Sequence, residues 1–490
     1  MANERDVRID FLRGLALLFI FIDHIPDNGL AHFTLRNFGF ADAAEVFVLL
    51  AGFSAVLAYQ RSFEREGFRA GAARVMDRVR DIYLWHLALV AFCAVGLTIA
   101  AVWFENPMYS HNIGVHVFGE SPAAATFFAA TLINQPNMLN ILPLYIVLML
   151  VWVPFVLWLL PRRPWQMLFV SASLWLIANL LQLNLPSQQA PQGWVFNPFA
   201  WQLLVTVGAL AAHFSREEPI PASRVTIALA GAYVAFAFLV AAPWTQISGL
   251  QDARFFAPDL LGSMNKSYLS PWRLAHVVAL GYLALTLTSP KSLWLTQAWA
   301  RGVSRCGRHS LEIFCLGTVL SFTGWVILAE AGDGLPVQIL VNTAGIGILW
   351  ITAWALAQRN RDIGFVQSLR NQLSVWRSQL QRALARLSPT RRRLARRPST
   401  SSASTLRYPG FRARSRAPSR SGSWRSAHPA RRVSAQAAPR PATRRGCRPS
   451  CASAIPIRRS SSTISAWAAN SRPTGSRASR RTCCRSIPTS

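Results

Sequence analysis

Asp23 and His24 stand side by side, and Asp42 and Glu45 follow three residues apart about twenty positions later. A histidine beside carboxylates is suited to general-base chemistry. Its free pKa lies near neutrality, a carboxylate can fix its tautomer, and its neutral nitrogen can take a proton from a hydroxyl. The plainer reading is that Asp23 and His24 close one helix where it meets water while Asp42 and Glu45 cap the start of the next. Nearer the N-terminus, Asp10 and Arg13 are three apart on a helical pattern and can share a face as an internal ion pair. Asp10 and Asp23 would be about 20 Å apart along one helix at 1.5 Å per residue.

The elements that carry these residues are apolar. The chain has 490 residues, 52% of them hydrophobic and only 15% charged, with 18 Trp and 28 Phe. This is the composition of a lipid-embedded protein, not of a soluble domain. Crossing roughly 30 Å of hydrocarbon takes about twenty apolar residues. Apolar runs predict an all-α bundle of ten transmembrane helices near 9–25, 43–60, 81–104, 139–160, 165–183, 199–214, 225–243, 273–289, 309–329 and 337–358. Residues 1–360 would form this domain. A short amphipathic stretch at 122–133 stands outside the count as an interfacial segment. The first run is no cleaved signal, because no small-x-small site follows it.

Basic residues fall on alternate loops. Arg5 and Arg8, then Arg61 to Arg80, Arg162 and Arg163, Arg216 and Arg224, Lys291 to Arg308, and Arg359 with Arg361 lie on one side. The other side carries only Arg36, Arg254 and Lys266. The positive-inside rule makes the basic side cytoplasmic, with both termini there, and places His24 and Glu45 on the outer side.

The net charge of +30 is a property of the tail, since residues 363–490 hold 28 Arg, no Lys and no acid. The first 362 residues are therefore close to neutral. Residues 361–387 keep a helical pattern interspersed with Arg, as expected of an amphipathic helix on the inner leaflet. From 388 to 490 Arg, Ser, Pro and Ala dominate, with too little apolar periodicity to bury a core, so the segment reads as disordered. Such a tail could bind anionic lipid or nucleic acid. The absence of Lys and of acids fits better with out-of-frame translation of a GC-rich gene, and no nucleic-acid partner is expected. Cys93, Cys306 and Cys315 stand singly in apolar surroundings, and Cys447 and Cys451 lack a complementary ligand pair. Neither a disulfide framework nor a metal site is expected.

The stretches RIDFLRGLALLFIFIDHIPDN, from Arg8, and TLRNFGFADAAEVFVLLAGFSAVLAY, ending at Tyr59, resemble the OpgC family of inner-membrane proteins. Leu142-Pro-Leu-Tyr145, Asn197-Pro-Phe-Ala-Trp-Gln202, Arg273-Leu-Ala-His276 and Gly307-Arg-His-Ser-Leu311 extend the resemblance in order through the span-rich region. The family is related to the acyltransferase-3 group, which shares an early-helix His and a following Ser-Gly-like stretch. Here that stretch reads Phe47-Val-Leu-Leu-Ala-Gly52, with Ala51 where Ser is common.

The resemblance implies transfer of a succinyl group, from succinyl-CoA or another acyl-CoA, to hydroxyls of periplasmic glucans, with no permanently bound cofactor and with membrane lipids as surroundings. On that basis His24 would activate the hydroxyl, oriented by Asp23 or Glu45. Arg36 or Arg273 would meet the succinyl carboxylate or an oxyanion. Arg74, Arg78 and Arg80 would hold the phosphates of the donor, with Asp10, Arg13, His309 and Ser310 near it. Asn197, Trp201 and Gln202 would meet the sugar, and Lys266 and Tyr268 could touch it. An acyltransferase using another acyl group or glycan, and a transporter without chemistry, are the alternatives.

Overall fold

The computed structural model of the protein describes residues 6–387 except 217, 219, 243 and 245–263. Among the described residues every regular element is helical. The long helices are α1 (Val7–Asp23), α2 (Ala43–Arg65) and α3 (Phe68–Trp103), followed by the short α4 (Met108–His111), α5 (Val117–Glu120) and α6 (Pro122–Ala130). Then come α7 (Ile141–Val147), α8 (Val153–Leu159), α9 (Pro164–Leu181), α10 (Pro198–Ser215), α11 (Arg224–Ala241) and α12 (Pro271–Leu287). Last are α13 (Ala298–Arg308), α14 (Ser310–Ala331) and α15 (Leu335–Leu387). Arg254 and the tail from 388 to 490 lie outside the described residues.

A helix lies at each of the ten apolar runs, α7 and α8 together forming one of them. Seven are long and apolar enough to cross a membrane: α2, α3, α7–α8, α9, α11, α14 and the first 25 residues of α15. The other three, α1, α10 and α12, have 17, 18 and 17 residues. The 18-residue α10 is as long as α9 and α11 and differs from them in polarity, while α1 and α12 are one residue shorter than the shortest of the seven. They also carry much of the polar load: Asp10, Arg13 and Asp23 on α1, Gln202 and Thr206 on α10, Arg273 and His276 on α12. Embedding them among other helices meets that cost.

Local chemistry sets many of the boundaries. Proline at the first turn starts α6, α9, α10 and α12, where its missing N–H costs nothing. Asp42 and Glu45 form a capping box at the start of α2. Gly67, at φ +85°, turns the chain between α2 and α3 with a backbone that a side chain would disfavour. Between α7 and α8 the helix widens to a π-turn over Leu148–Trp152. Pro154 follows it, and the wider turn relieves the clash between the proline ring and the preceding carbonyls.

One segment differs from expectation. The basic stretch before α14 reads as a loop, yet most of it is α13, whose Ala300, Val303 and Cys306 are buried while Arg301 is exposed. A period of three in so short and basic a segment was masked by its charge. The last apolar run and the helical pattern at 361–387 lie on one continuous helix, α15, from Leu335 to Leu387.

Helix packing rests on two close crossings. At α1 and α13, a Cβ on Gly14 would come within 1.9 Å of the Val303 carbonyl oxygen, and one on Gly307 within 1.8 Å of the Asp10 carbonyl oxygen. At α2 and α10, a Cβ on Gly52 would meet the Val205 carbonyl oxygen at 2.1 Å and one on Gly208 the Leu49 carbonyl oxygen at 2.0 Å. Each pair is reciprocal, the small-residue device that lets backbones touch where no hydrophobic effect drives helices together. Because the obstacle is backbone, even a methyl group must separate the helices. Gly307→Ala and Gly208→Ala are therefore expected to lower the apparent Tm of the detergent-solubilised protein and the fraction eluting as a single species. The overpacking cost should be on the order of 1–3 kcal/mol or more. Gly96→Ala, where a Cβ meets nothing within 4 Å, should leave both measurements unchanged.

Candidate functional site

Glu45 is 0% exposed and is held by two devices at once. Its Oε2 accepts the Asp42 backbone N–H at 3.0 Å, closing the capping box, and its Oε1 accepts from Arg273 Nε at 2.6 Å. Arg273 Nη2 also reaches Asp42 Oδ2 at 3.4 Å, and the Lys266 ammonium lies 2.5 Å from the same oxygen. Two carboxylates thus share two cations where the start of α2 meets the start of α12. Burial alone would raise the Asp42 carboxyl, but Lys266 and Arg273, together with the Glu45 contact, hold it below the ordinary carboxylate range.

His24 caps the end of α1 at the same end of the bundle, and its Nδ1 is buried without a hydrogen-bond partner. The expected orienting carboxylates are engaged elsewhere. Asp23 Oδ1 accepts from Thr34 Oγ1 at 2.5 Å, and Glu45 belongs to Arg273. Neither acid hydrogen-bonds the His24 ring; the charged side chains whose fields reach it are Lys266, Asp42 and Arg36. Arg36 Nη1 donates to the Asp23 carbonyl at 3.5 Å. Thr34 was not a sequence candidate, and only its place within the matched stretch could have signalled it.

A second buried histidine also belongs here. His276, on α12 one turn beyond Arg273, accepts the Ala41 backbone N–H on Nδ1 at 3.2 Å, which leaves the ring proton on Nε2 without a partner. A Cβ on Gly39 would fall 2.2 Å from its Cε1, so residue 39 must be small for the 34–42 loop to lie against the ring. His276 therefore ties the loop leading into the Asp42 cap to the helix that supplies Arg273.

The candidate sugar contacts Asn197, Trp201 and Gln202 are buried and bonded within the protein. Asn197 caps α10 through the Phe199 N–H at 3.0 Å and donates to the Leu183 carbonyl at 2.6 Å. Gln202 exchanges hydrogen bonds with Ser171 of α9, at 2.5 Å from the hydroxyl and 2.8 Å to the carbonyl. Trp201, 0% exposed, donates from its indole N–H to the Lys266 carbonyl at 3.1 Å. These residues pack α10 and support the backbone of Lys266; their faces are covered. Tyr268 is likewise buried, its hydroxyl on the Gln182 carbonyl at 3.0 Å.

At the other end of the bundle, Asp10 is buried and accepts from Arg308 Nε at 3.1 Å, a pairing supplied by α13. Arg13 donates to Ser54 Oγ and to the Leu50 carbonyl. The three arginines of α3 separate. Arg74 is tied to Glu66 (2.8 Å) and Ser62 (2.6 Å), and Arg80 is exposed beside Asp77 and Asp81. Arg78 instead lines a cavity of about 180 Å³ with Arg13, Ser54, Tyr145, Phe47 and Ser310. His309 is the residue that precedes α14, and Ser310 begins it.

The Glu45–Arg273 pair yields a stability prediction. Arg273→Met leaves a buried carboxylate short of a cation and should cost roughly 3–5 kcal/mol. The double variant Glu45→Gln with Arg273→Met should recover much of that loss in thermal melts of the nanodisc-held protein. A double variant no more stable than the single one would show that the pair is not the dominant contact.

Among protein families, the model described as OpgC protein matches residues 5–361, well over half of the chain, and the match ends beside the last acidic residue, Asp362. No curated protein and no solved structure matches. The helix bundle that joins an Asp42–Glu45–Arg273 cluster and His24 at one end to an arginine-lined cavity toward the other belongs to the OpgC family.

Proposed function

We propose that this protein is a multi-pass membrane acyltransferase that moves a succinyl group from a cytoplasmic CoA thioester to a hydroxyl of a periplasmic glucan. OpgC membership supports an acyltransferase-type function that modifies glucans. The observation that carries the reading is the pairing of two unlike places in one bundle. One is an imidazole with an unpartnered nitrogen beside a buried carboxylate–cation cluster, and the other is a cavity whose ionisable lining groups are cationic or phenolic. Phe47 lines that cavity and is two residues from Glu45, about 3 Å along α2. The donor cavity and the His24 cluster thus approach one another along a single helix.

In this reading His24 takes the proton of a glucosyl hydroxyl as that oxygen attacks the thioester carbonyl carbon. The tetrahedral intermediate collapses, the C–S bond breaks, and the departing CoA sulfur receives the proton from the imidazolium. Arg273 is committed to Glu45 and Asp42, so it positions α2 and α12. Arg36, which donates a long hydrogen bond to the Asp23 backbone carbonyl and lies within electrostatic reach of His24, is the guanidinium offered to developing negative charge. Since Trp201 is covered, the aromatic residue offered to a sugar is Phe33, 77% exposed and next in sequence to Thr34, the hydrogen-bond partner of Asp23. With the basic end facing the cytoplasm, His24 meets the periplasm.

Transfer of labelled acyl groups from succinyl-CoA and acetyl-CoA to purified glucan, with the protein in nanodiscs, tests the reading. Succinyl transfer is expected, and His24→Ala should lower it by about 10²-fold or more with unchanged elution behaviour. Retained transfer in that variant would remove His24 from the chemistry, and preference for acetyl would reassign the acyl group. Phe33→Ala should raise the KM for glucan and leave the affinity for donor unchanged; unaltered KM would exclude it from the acceptor site.

A further inference from the structure

A second and larger cavity, about 540 Å³, lies across α2 from the arginine-lined one. Leu49, Leu50 and Phe53 line it, whereas Phe47, Ala51 and Ser54 line the smaller space, so α2 is the wall between them. Val207, Gly208 and Ala211 of α10 form one of its sides, and Val278, Gly281 and Leu285 of α12 form the other. Both helices pack on α2 and scarcely on each other, and the cavity is the space this leaves. Its lining covers Val207 to Phe214 on α10 and Val278 to Leu285 on α12, a rise of about 10 Å along each. Both helices run toward the basic end of the bundle, and Phe214 and Leu285 lie in their last turns. The space therefore sits within the half of the hydrocarbon layer, roughly 15 Å deep, that borders the basic end.

Neither water nor empty space suits it. A buried water needs several polar partners. Here the helical amides and carbonyls are spent on one another, and the Tyr282 hydroxyl donates to the Pro221 carbonyl at 2.9 Å. Glu218, the one charged group among the described lining residues, is exposed and belongs to the connection that follows α10. A void of this size would forfeit packing in proportion to its volume, and packed interiors hold few voids larger than a water molecule. The volume falls within the roughly 300–1,000 Å³ of small-molecule sites. What fills an apolar space of this depth inside a bilayer is hydrocarbon.

We propose that this cavity binds one acyl chain of a phospholipid from the leaflet at the basic end, seated between α10 and α12 against α2. The chain supplies the contact that the two helices do not make with each other. The Glu218 carboxylate at the same site is a poor neighbour for the carboxylate of a free fatty acid, which favours an esterified chain. The site requires only that the bundle stand in a bilayer, and no acyl transfer.

The full-length protein in phosphatidylcholine nanodiscs, doped with a phosphatidylcholine carrying a diazirine within one acyl chain, tests the assignment. Irradiation should place adducts on residues 207–214 and 278–285. Ala211→Trp should remove most of the adducts on 278–285, and Val278→Trp most of those on 207–214. Adducts at the exposed Phe169 of α9 and Leu229 of α11 should be unchanged in both variants. An unlabelled lining, or labelling that neither filled variant alters, would overturn the proposal. So would loss of the lining adducts on adding succinyl-CoA with no change at Phe169 and Leu229, which would give the cavity to the acyl donor. Labelling by a photoreactive free fatty acid but not by the phospholipid would also overturn it. Should neither filled variant fold, extended detergent exchange of the native protein decides: phospholipid retained with the chain is expected, and complete delipidation of a still-folded protein would count against the site.

Discussion

A carboxylate with no exposure to solvent has to be compensated, and the arrangement around Glu45 follows from that requirement. Its two oxygens are divided between the α2 backbone cap and the Arg273 guanidinium, so the start of one helix cannot shift without disturbing the start of another. Arg273 reaches on to Asp42, Asp42 holds Lys266, and the Lys266 carbonyl is held by Trp201 of α10. Three helices and a connecting segment are therefore registered by one chain of charge and hydrogen bonds. In a low-dielectric setting such chains are worth most when complete and are costly when one member is lost. His24 sits beside this network yet is not bonded into it, which leaves a ring nitrogen available at a place whose geometry is fixed by others.

The glycine crossings supply what the polar network cannot, the close approach of whole helices. Gly14 and Gly307 bring α13 against α1, and as a consequence Arg308 falls within reach of Asp10. Gly52 and Gly208 seat α10 against α2, which brings Trp201 near the residues that Glu45 organises. Charged groups in a membrane bundle need partners, and partners need backbones that come near enough to present them.

Most of the architecture was legible in the sequence because hydrocarbon thickness imposes a length on apolar runs, and each of the ten runs is helical. Seven suffice as spans on their own. Of the other three, α10 falls short in polarity and α1 and α12 by one residue in length, and all carry polar side chains. Asp42, Glu45 and Arg273 could be named from residue type and resemblance, but their assignment to one another could not, since a pairing across more than 220 residues leaves no periodic trace. Basic charge concealed α13 as a helix. Trp201 and Gln202 looked like sugar contacts because an interfacial Trp and an amide are chemically apt for that task. Burial decides the matter, and burial is a property of the packed bundle that a local pattern does not carry.

The separation between the first helix's two polar ends posed a difficulty for any transfer across the membrane, since no side chain spans it. The arginine-lined cavity reframes the problem as one of donor reach. Its lining runs along α2 from Tyr59 to Phe47, twelve residues or about 18 Å of helix, and Tyr145 closes the upper part by donating its hydroxyl to the Phe47 carbonyl at 3.1 Å. A donor whose carrier remains at the basic end could place an acyl group partway through the bundle in such a space. The barrier that remains is then the layer formed by Phe47 and Tyr145, whose rings lie 5.5 Å apart. Rotation of one aromatic side chain is a far smaller change than the rocking of half a bundle. The beginning of α2, pinned by Glu45, would hold still while it occurs. On the acyltransferase reading, the fixed cap at Glu45 and the Phe47–Tyr145 pair below it divide the passage into a part that must hold its shape and a part that would have to yield.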